Sequence, residues 1–227
     1  MTESYNRPQI KICGLTRVDE AVKCAELGAD AIGCVFYSKS PRNVSVDEVE
    51  NICRSLPENI ITVGLFVNES FSFIMHRVKA CGLKGVQLHG QESFELVEAL
   101  RKENILVIKA LFAERKPELK DADKYNASTY LVECGRGKLP GGNAVEWDWK
   151  KAKAFGEKYP FVLAGGLKPD NVCQAVSDSV PDAVDVSSGV ESFPGRKDPG
   201  KVEAFIKAVS SCVFDKEKTR KLRIVLR

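Results

Sequence analysis

The chain has 227 residues, of which 44% are hydrophobic and 29% are charged, and its formal net charge is +3 at pH 7. This composition is ordinary for a soluble globular protein, and it excludes a disordered chain, a collagen-like repeat and a coiled coil. The sequence has no apolar run of about 18 residues and no apolar core near its start, so we expect neither a membrane span nor a secretory signal peptide.

Eight short runs rich in β-branched residues alternate with helical patterns along the chain. Most of these runs are apolar nearly throughout, as expected of parallel strands that are covered on both faces. They predict strands at residues 9–14, 30–36, 60–67, 84–90, 105–111, 129–133, 161–166 and 182–189. Helices are predicted at residues 19–28, 45–56, 72–82, 94–102, 147–157, 169–178 and 198–211. The weakest unit is 112–124, where Pro117 lies in a charged stretch and we expect a short or irregular helix.

The eight units from Gln9 to Ser211 average about 25 residues each, which is typical of a (β/α)8 barrel. No linker-like composition interrupts them, so we predict the α/β class and a single-domain TIM barrel over residues 1–213. A doubly wound open sheet is the rival, and it is disfavoured because no GxGxxG motif follows the first strand.

A basic C-terminal extension at 214–227 follows the predicted barrel. It holds six basic and two acidic residues, so it carries +4 and the rest of the chain carries −1. Because the net charge of the rest of the chain is close to zero, we expect no basic surface for binding nucleic acid. We interpret the extension as a solvated terminus, with contact to an acidic surface as the alternative.

The eight cysteines form no CxxC motif and do not cluster with the two histidines. A zinc site is therefore not expected. Without a signal peptide, the thiols are interpreted as reduced and the protein as cytoplasmic.

In a barrel of this kind the chemistry lies where the strands end. The turns after the last two predicted strands contain Gly165, Gly166, Ser187, Ser188 and Gly189. Glycine lets a ligand approach the backbone closely, and the loops after strands 7 and 8 frequently bind phosphate. These turns therefore predict a phosphate site, although the glycines alone would also suit plain tight turns.

Strand 1 offers a candidate base. Lys11 and Cys13 share one face of the strand because side chains alternate, and a closed barrel places strand 8, with Asp185, beside them. We predict a Lys11–Asp185 ion pair in the site, beneath the Cys13 thiol. The ammonium would lower the thiol pKa below about 8.5 and make a thiolate base available. A buried, inert cysteine is the alternative.

Glu133 ends the apolar run of strand 6, across the barrel from strand 1. Burial there would keep the carboxyl protonated as a general acid, whereas a rim glutamate bonded to a loop is equally compatible with the sequence. An acid and a base on opposite sides of a small substrate suit proton shuffling, such as aldose–ketose isomerisation. Arg42 and His89 also follow strands. Arg42 is a candidate for binding a carboxylate, with a solvated loop charge as the alternative, and His89 for substrate binding or a structural hydrogen bond.

Several motifs together resemble the phosphoribosylanthranilate isomerase family of tryptophan biosynthesis over residues 9–209. They are KICGLTR, GADAIGCVFYSKSPRNVS, VGLFVN, VQLHG, a GG–WDW stretch, LAGGL-P-NV, AVDVSSGVE and PGRKD, in that order. That family is a (β/α)8 barrel without a metal or an organic cofactor. It converts N-(5-phosphoribosyl)anthranilate to the carboxyphenylamino-deoxyribulose phosphate by an Amadori rearrangement.

The resemblance implies roles for matching residues. Cys13 matches the general base, Glu133 the general acid, and Arg42 an arginine near the anthranilate. Asp185 matches an aspartate in the site, and Gln87 and His89 match a strand-4 motif at the pocket wall. The implied partner is a small phosphorylated substrate. We expect no nucleic acid or membrane partner, and we expect the protein to be a monomer or a homodimer.

The sequence also departs from the family. Glu133 stands where an aspartate is usual, Ala144 replaces a glycine, and Trp147 replaces a common phenylalanine. The alternatives are therefore a related phosphate-binding barrel acting on a variant phosphosugar, or a binding protein that kept the phosphate site and lost catalysis. An indole-glycerol-phosphate synthase or a pentose-phosphate epimerase is disfavoured by the missing strand-lysine pattern and metal ligands.

Overall fold

The protein is described by a computed structural model for residues 7–137, 145–212 and 221–227. Eight parallel strands close into a barrel in sequence order, with the first strand paired to the eighth. The strands are β1 (Gln9–Cys13), β2 (Ala31–Phe36), β3 (Ile61–Phe66), β4 (Gly85–Leu88), β5 (Leu106–Phe112), β6 (Thr129–Glu133), β7 (Phe161–Leu163) and β8 (Ala183–Val186). The predicted (β/α)8 architecture is confirmed, and the rival open sheet is wrong. A short hairpin of β9 (Glu191–Phe193) and β10 (Arg196–Lys197) follows β8.

In the described ranges, seven α-helices cover the outside of the barrel. They are α1 (Val18–Glu26), α2 (Val46–Ser55), α3 (Phe71–Cys81), α4 (Phe94–Arg101), α5 (Lys153–Lys158), α6 (Val172–Ser179) and α7 (Pro199–Ser211). Side chains of Ser45, Ser70, Ser93 and Asp198 cap four of them, because each accepts a hydrogen bond from an otherwise unpaired N–H of the first turn. The weak unit between β5 and β6 forms a 3-10 helix (Leu119–Lys124), as predicted.

Side chains alternate between the barrel interior and the helical layer. On β1, Ile10 and Ile12 pack in the outer apolar cluster, whereas Lys11 pairs across the interior face with Asp185 of β8. This alternation places the side chain of Cys13 at the carboxyl-terminal end of the interior. We call that end the mouth of the barrel and the opposite end its floor.

The carboxyl-terminal residues 221–227 are not a solvated extension. Val225 and Leu226 are 5% and 3% exposed, and they belong to the apolar cluster of the barrel interior. The prediction relied on the count of charged residues in the segment. It neglected the apolar residues between them, of which Val225 and Leu226 are buried against the barrel. Residues 213–220 lie outside the described part of the chain.

The cysteines also require a correction. Cys173 on α6 and Cys212 after α7 form a disulfide with their Cα atoms 5.4 Å apart, within the usual range for such a bond. The expectation of uniformly reduced thiols is therefore wrong for this pair, which folding brings together from 39 residues apart in sequence. The other six cysteines are free. No helix in the described part of the chain is both long and apolar enough to span a membrane.

Candidate active site

A cavity opens at the mouth of the barrel, where small-molecule sites of this fold lie. Eleven of the twelve sequence-predicted site residues line it, and they come from distant parts of the chain. They are Cys13, Arg42, Gln87, His89, Glu133, Gly165, Gly166, Asp185, Ser187, Ser188 and Gly189. Lys11 is the exception: it is fully buried in the barrel interior below the cavity.

The predicted ion pair forms beneath Cys13. Lys11 Nζ lies 2.8 Å from Asp185 Oδ1, and the two residues are register partners on β1 and β8. Burial lowers the pKa of Lys11, but the interactions with Asp185 and Cys13 raise it by more. The pKa of Lys11 is therefore above its ordinary value. Lys11 is thus a permanent cation under the thiol.

The Cys13 thiol does not have the depressed pKa that the sequence suggested. Burial raises its pKa more than the nearby Lys11 and Lys197 ammonium groups lower it, and Asp185 adds a further increase. The prediction counted one cation and neglected the cost of burying the thiolate. Lys11 and Lys197 limit the increase without reversing it.

A glycine on β2 makes room for this arrangement. Gly33 is the register partner of Cys13, and a Cβ at that position would lie 2.8 Å from Cys13 Sγ and 3.1 Å from Lys11 Nζ. Sequence reasoning missed Gly33, although a glycine inside a β-branched strand signals the close approach of another group.

Glu133 lies at the end of β6 as predicted, and it contacts His89. The distance from His89 Nε2 to Glu133 Oε1 is 3.3 Å, and Gln87 Nε2 lies 2.8 Å from His89 Nδ1. When the Gln87 amide donates to Nδ1, the neutral imidazole carries its proton on Nε2 and donates it to Glu133. Gln87 Oε1 is buried and has no hydrogen-bond partner in the described residues.

Arg42 lines the cavity, but its guanidinium is engaged by a residue that the sequence analysis did not assign. Its Nε and Nη2 donate to the two carboxylate oxygens of Glu191 at 2.8 and 2.7 Å. Lys197 Nζ donates to the same Glu191 at 2.8 Å and to the carbonyl of Ser187 at 3.1 Å. The β9–β10 hairpin thus fixes Arg42 in the wall.

Burial and charged neighbours shift the pKa values of Glu191 and Lys197 in this cluster. Burial raises the pKa of Glu191, but Arg42 and Lys197 outweigh it, so the pKa falls below its ordinary value. Burial lowers the pKa of Lys197, and Glu191 only partly restores it. Both residues occur in the motifs AVDVSSGVE and PGRKD, which was the one available signal of their importance.

The two glycine-containing turns meet at one side of the cavity. Gly165 and Gly166 have φ angles of +91° and +72°, which favour glycine. Within the described residues, the N–H groups of Gly165, Gly166 and Gly189 donate no hydrogen bond. Three unpaired donors at one edge of a cavity make a suitable anion site. The Ala144 departure lies outside the described residues, whereas Trp147 Nε1 donates to the carbonyl of Ala164 at 3.0 Å beside this turn.

The fold and the cavity define a (β/α)8-barrel enzyme whose titratable side chains converge at the carboxyl ends of its strands. In the described ranges, no three histidine, cysteine or acidic side chains are placed to hold a metal ion together. The groups that line the cavity include a thiol, a carboxyl group and a set of backbone donors.

Comparison with known proteins identifies the family. The model of the N-(5'-phosphoribosyl)anthranilate (PRA) isomerase family matches residues 10–208. The N-(5'-phosphoribosyl)anthranilate isomerase of Desulfatibacillum aliphaticivorans is 52% identical over 207 residues, which is 91% of this chain and 95% of that protein. The chain belongs to the phosphoribosylanthranilate isomerase family and is an isomerase.

Solved structures agree with this assignment. The phosphoribosyl anthranilate isomerase of Thermotoga maritima is 38% identical, with a TM-score of 0.83 over 89% of this chain and 98% of that chain. Another phosphoribosyl anthranilate isomerase structure, in complex with reduced 1-(o-carboxyphenylamino)-1-deoxyribulose 5-phosphate, is 37% identical. Its TM-score is 0.79 over 89% of this chain and 98% of that chain.

Proposed function

We propose that this chain catalyses the Amadori rearrangement of N-(5-phosphoribosyl)anthranilate to 1-(2-carboxyphenylamino)-1-deoxyribulose 5-phosphate. Cys13 is the general base and Glu133 the general acid, and the reaction belongs to tryptophan biosynthesis in the cytoplasm. The observation that carries the proposal is that a thiol from β1 and a carboxyl group from β6 line one cavity. Beside them are three N–H groups that donate no hydrogen bond to any residue the structure describes. The complex of a relative with a reduced product analogue supports it.

The phosphate of the substrate binds at the turns after β7 and β8. The N–H groups of Gly165, Gly166 and Gly189 donate to its oxygens, and Ser187 and Ser188 line the same edge. Backbone donors suit this task because they are fixed before the substrate arrives. Asp185 lines the cavity and Lys11 lies buried beneath it, and Arg42 forms part of the cavity wall.

The first chemical step opens the sugar ring. A protonated Glu133 donates its proton to the furanose ring oxygen, the bond from that oxygen to C1′ breaks, and the nitrogen lone pair forms an iminium ion with C1′. The Nε2–H of His89 holds one carboxyl oxygen of Glu133, so the proton resides on the other oxygen. Glu133 is therefore oriented by the Gln87–His89 pair while it acts.

The second step moves a proton at carbon. The Cys13 thiolate removes the proton from C2′, and the electrons of that C–H bond form the double bond between C1′ and C2′ as the iminium is neutralised. The resulting enol-amine takes a proton at C1′ and releases one from its C2′ hydroxyl, which gives the ketone. Atoms and charge balance, as an isomerisation requires.

The site must make a buried thiolate accessible for this step. Burial raises the pKa of Cys13, and the Lys11 and Lys197 cations counteract part of that increase. The two lysines have separate carboxylate partners, Asp185 and Glu191. Because both partners are buried, their cations stay in place close to the thiol.

A fluorescence assay that follows anthranilate–ribose consumption tests the proposal. Replacing Cys13 by Ser, and separately Glu133 by Gln, should each lower kcat by orders of magnitude, while circular dichroism and Tm show a folded protein. Cys53→Ser and Glu98→Gln are matched controls outside the cavity, and they should retain activity. If both site variants keep a kcat near that of the parent, the roles are wrong.

The same assay separates the alternatives. A binding protein that lost catalysis would show a Tm increase with the reduced product analogue but no conversion. A barrel with a variant substrate would show neither conversion of this substrate nor a Tm increase with its analogue. Conversion with a Cys13-dependent rate supports the isomerase.

A further inference from the structure

The barrel closes where its first and last strands pair, and we call this β1–β8 pairing the seam. At the floor, the seam begins with Gln9 on β1 and Asp182 just before β8. The N–H of Gln9 donates to the carbonyl of Asp182 at 3.0 Å, and both side chains are buried. An unpaired buried polar side chain is costly. Asp182 Oδ2 accepts a hydrogen bond from the N–H of Phe161 at 3.0 Å, and both side chains also bind the C-terminal segment.

Gln9 finds its partners in residues 221–227, which we call the terminal heptapeptide. Its Oε1 accepts hydrogen bonds from the N–H groups of Val225 and Leu226 at 2.7 and 2.9 Å. Its Nε2 donates to the carbonyl of Leu226 at 3.0 Å. One side-chain amide thus satisfies three backbone groups, as a neighbouring strand would.

Asp182 binds the same segment through Arg223. The backbone N–H of Arg223 donates to Asp182 Oδ1 at 2.8 Å, and its Nη2 lies 2.9 Å from Oδ2. The same Nη2 donates to the carbonyls of Gly156 and Tyr159 at 2.7 and 2.6 Å. Arg223 therefore connects the start of β8 with the segment that precedes β7, and it places a cation beside a buried carboxylate.

Apolar contacts complete the recognition. Val225 and Leu226 join the interior cluster that includes Ala31, Val63, Leu106, Leu131 and Ala183. The match to the family model ends at residue 208, so the terminal heptapeptide lies beyond the part of the chain that the family accounts for. The floor and the heptapeptide thus match in charge, hydrogen bonding and apolar contact.

We propose that the floor of the barrel is a sequence-selective peptide-binding site, occupied by the chain's own residues 221–227, which holds the β1–β8 seam closed. The site selects an extended peptide with the pattern Arg-x-Val-Leu. Arg223 is read by Asp182 and two carbonyls, the peptide backbone by Gln9, and Val225 and Leu226 by the barrel interior. This inference is independent of the reaction at the mouth.

The full-length chain tests the proposal by thermal unfolding. The double change Val225→Asp with Leu226→Asp places charges in the interior cluster and should lower Tm by about 10 °C, and Arg223→Ala should lower it by roughly 5 °C. Arg227→Ala, at an exposed position of the same segment, is the matched control and should leave Tm unchanged. Isomerase activity at 25 °C should remain within about twofold for all of them, because each variant is still folded at that temperature and keeps the β1–β8 register that places Lys11 and Cys13.

A second measurement uses the same full-length double variant, whose floor is vacated. Adding the synthetic heptapeptide KLRIVLR should raise its Tm in a concentration-dependent manner, whereas KLAIVLR should not. In the parent chain, the amide protons of Val225 and Leu226 should be protected from exchange. Equal effects of the two peptides on Tm would overturn the proposal. So would variants that melt within about 1 °C of the parent, together with unprotected amides of Val225 and Leu226 in the parent.

Discussion

Replacing Gly33 by Ala should disable the proposed base without unfolding the barrel. Gly33 and Cys13 are register partners on adjacent strands. The added methyl carbon would lie 2.8 Å from Cys13 Sγ, 3.1 Å from Lys11 Nζ and 3.2 Å from Cys13 Cα. Since non-bonded carbon contacts are optimal at about 3.5–4.0 Å, the sulfur has to move by about 1 Å.

The size of the effect follows from what limits that movement. Lys11 is held by Asp185 at 2.8 Å, and the cysteine has a single side-chain torsion, so neither group can yield freely. A displacement of about 1 Å at a reacting group costs on the order of 100-fold in rate. We therefore expect kcat/KM of Gly33→Ala to fall about 100-fold, with an overpacking cost of roughly 1–3 kcal/mol in the free energy of unfolding.

Gly64→Ala is the matched control. A Cβ there would lie 2.8 Å from Leu83 Cδ1 and 2.9 Å from Phe66 Cε2, which is equally crowded but on the outer side of β3. Its Tm should fall by a similar amount, while kcat/KM in the fluorescence assay stays unchanged. The reasoning is refuted if a folded Gly33→Ala protein keeps kcat/KM within threefold of the parent, or if both variants lose activity equally.

Three further predictions concern single groups. Glu133→Asp withdraws the carboxyl group by about one methylene from His89 and should lower kcat at saturating substrate at least tenfold; an unchanged kcat would show that reach is not limiting. Lys197→Met removes a cation that lowers the pKa of Cys13, so that pKa rises and the acid limb of the kcat/KM profile should move to higher pH, whereas Lys197→Arg should shift it less. Cys212→Ser opens a disulfide that spans 39 residues, and urea unfolding without reductant should show a loss of up to about 4 kcal/mol in the free energy of unfolding. The parent in reductant should then match the variant.

The positions of the strands and their ends were predictable because period-two alternation and apolar runs are local properties of the sequence. The prediction of β6 coincides with the observed strand at 129–133. Once the barrel was inferred, closure alone placed Asp185 beside Lys11, although 174 residues separate them. A repeated architecture thus converts local patterns into long-range neighbours.

Electrostatic balance was not predictable in the same way. The pKa of Cys13 depends on how completely the thiol is buried, and burial is a sum over the whole fold. Glu191 lies 149 residues from Arg42 in sequence, in a hairpin that the eight-unit pattern does not contain. Nothing local in the sequence indicates which carboxylate pairs with the guanidinium, so the sequence suggested for Arg42 only a substrate carboxylate or a solvated loop position.

The β1–β8 seam links the floor of the barrel to its mouth. Its register pairs Gln9 with Ala183 and Lys11 with Asp185, so the strand that carries the floor partner of the heptapeptide also carries the cation beneath the thiol. A slip of one residue would turn every side chain of β1 to the opposite face. Lys11 would then enter the apolar helical layer without Asp185, and Cys13 would leave the cavity. The free energy that fixes this register therefore acts directly on the geometry of the proposed base.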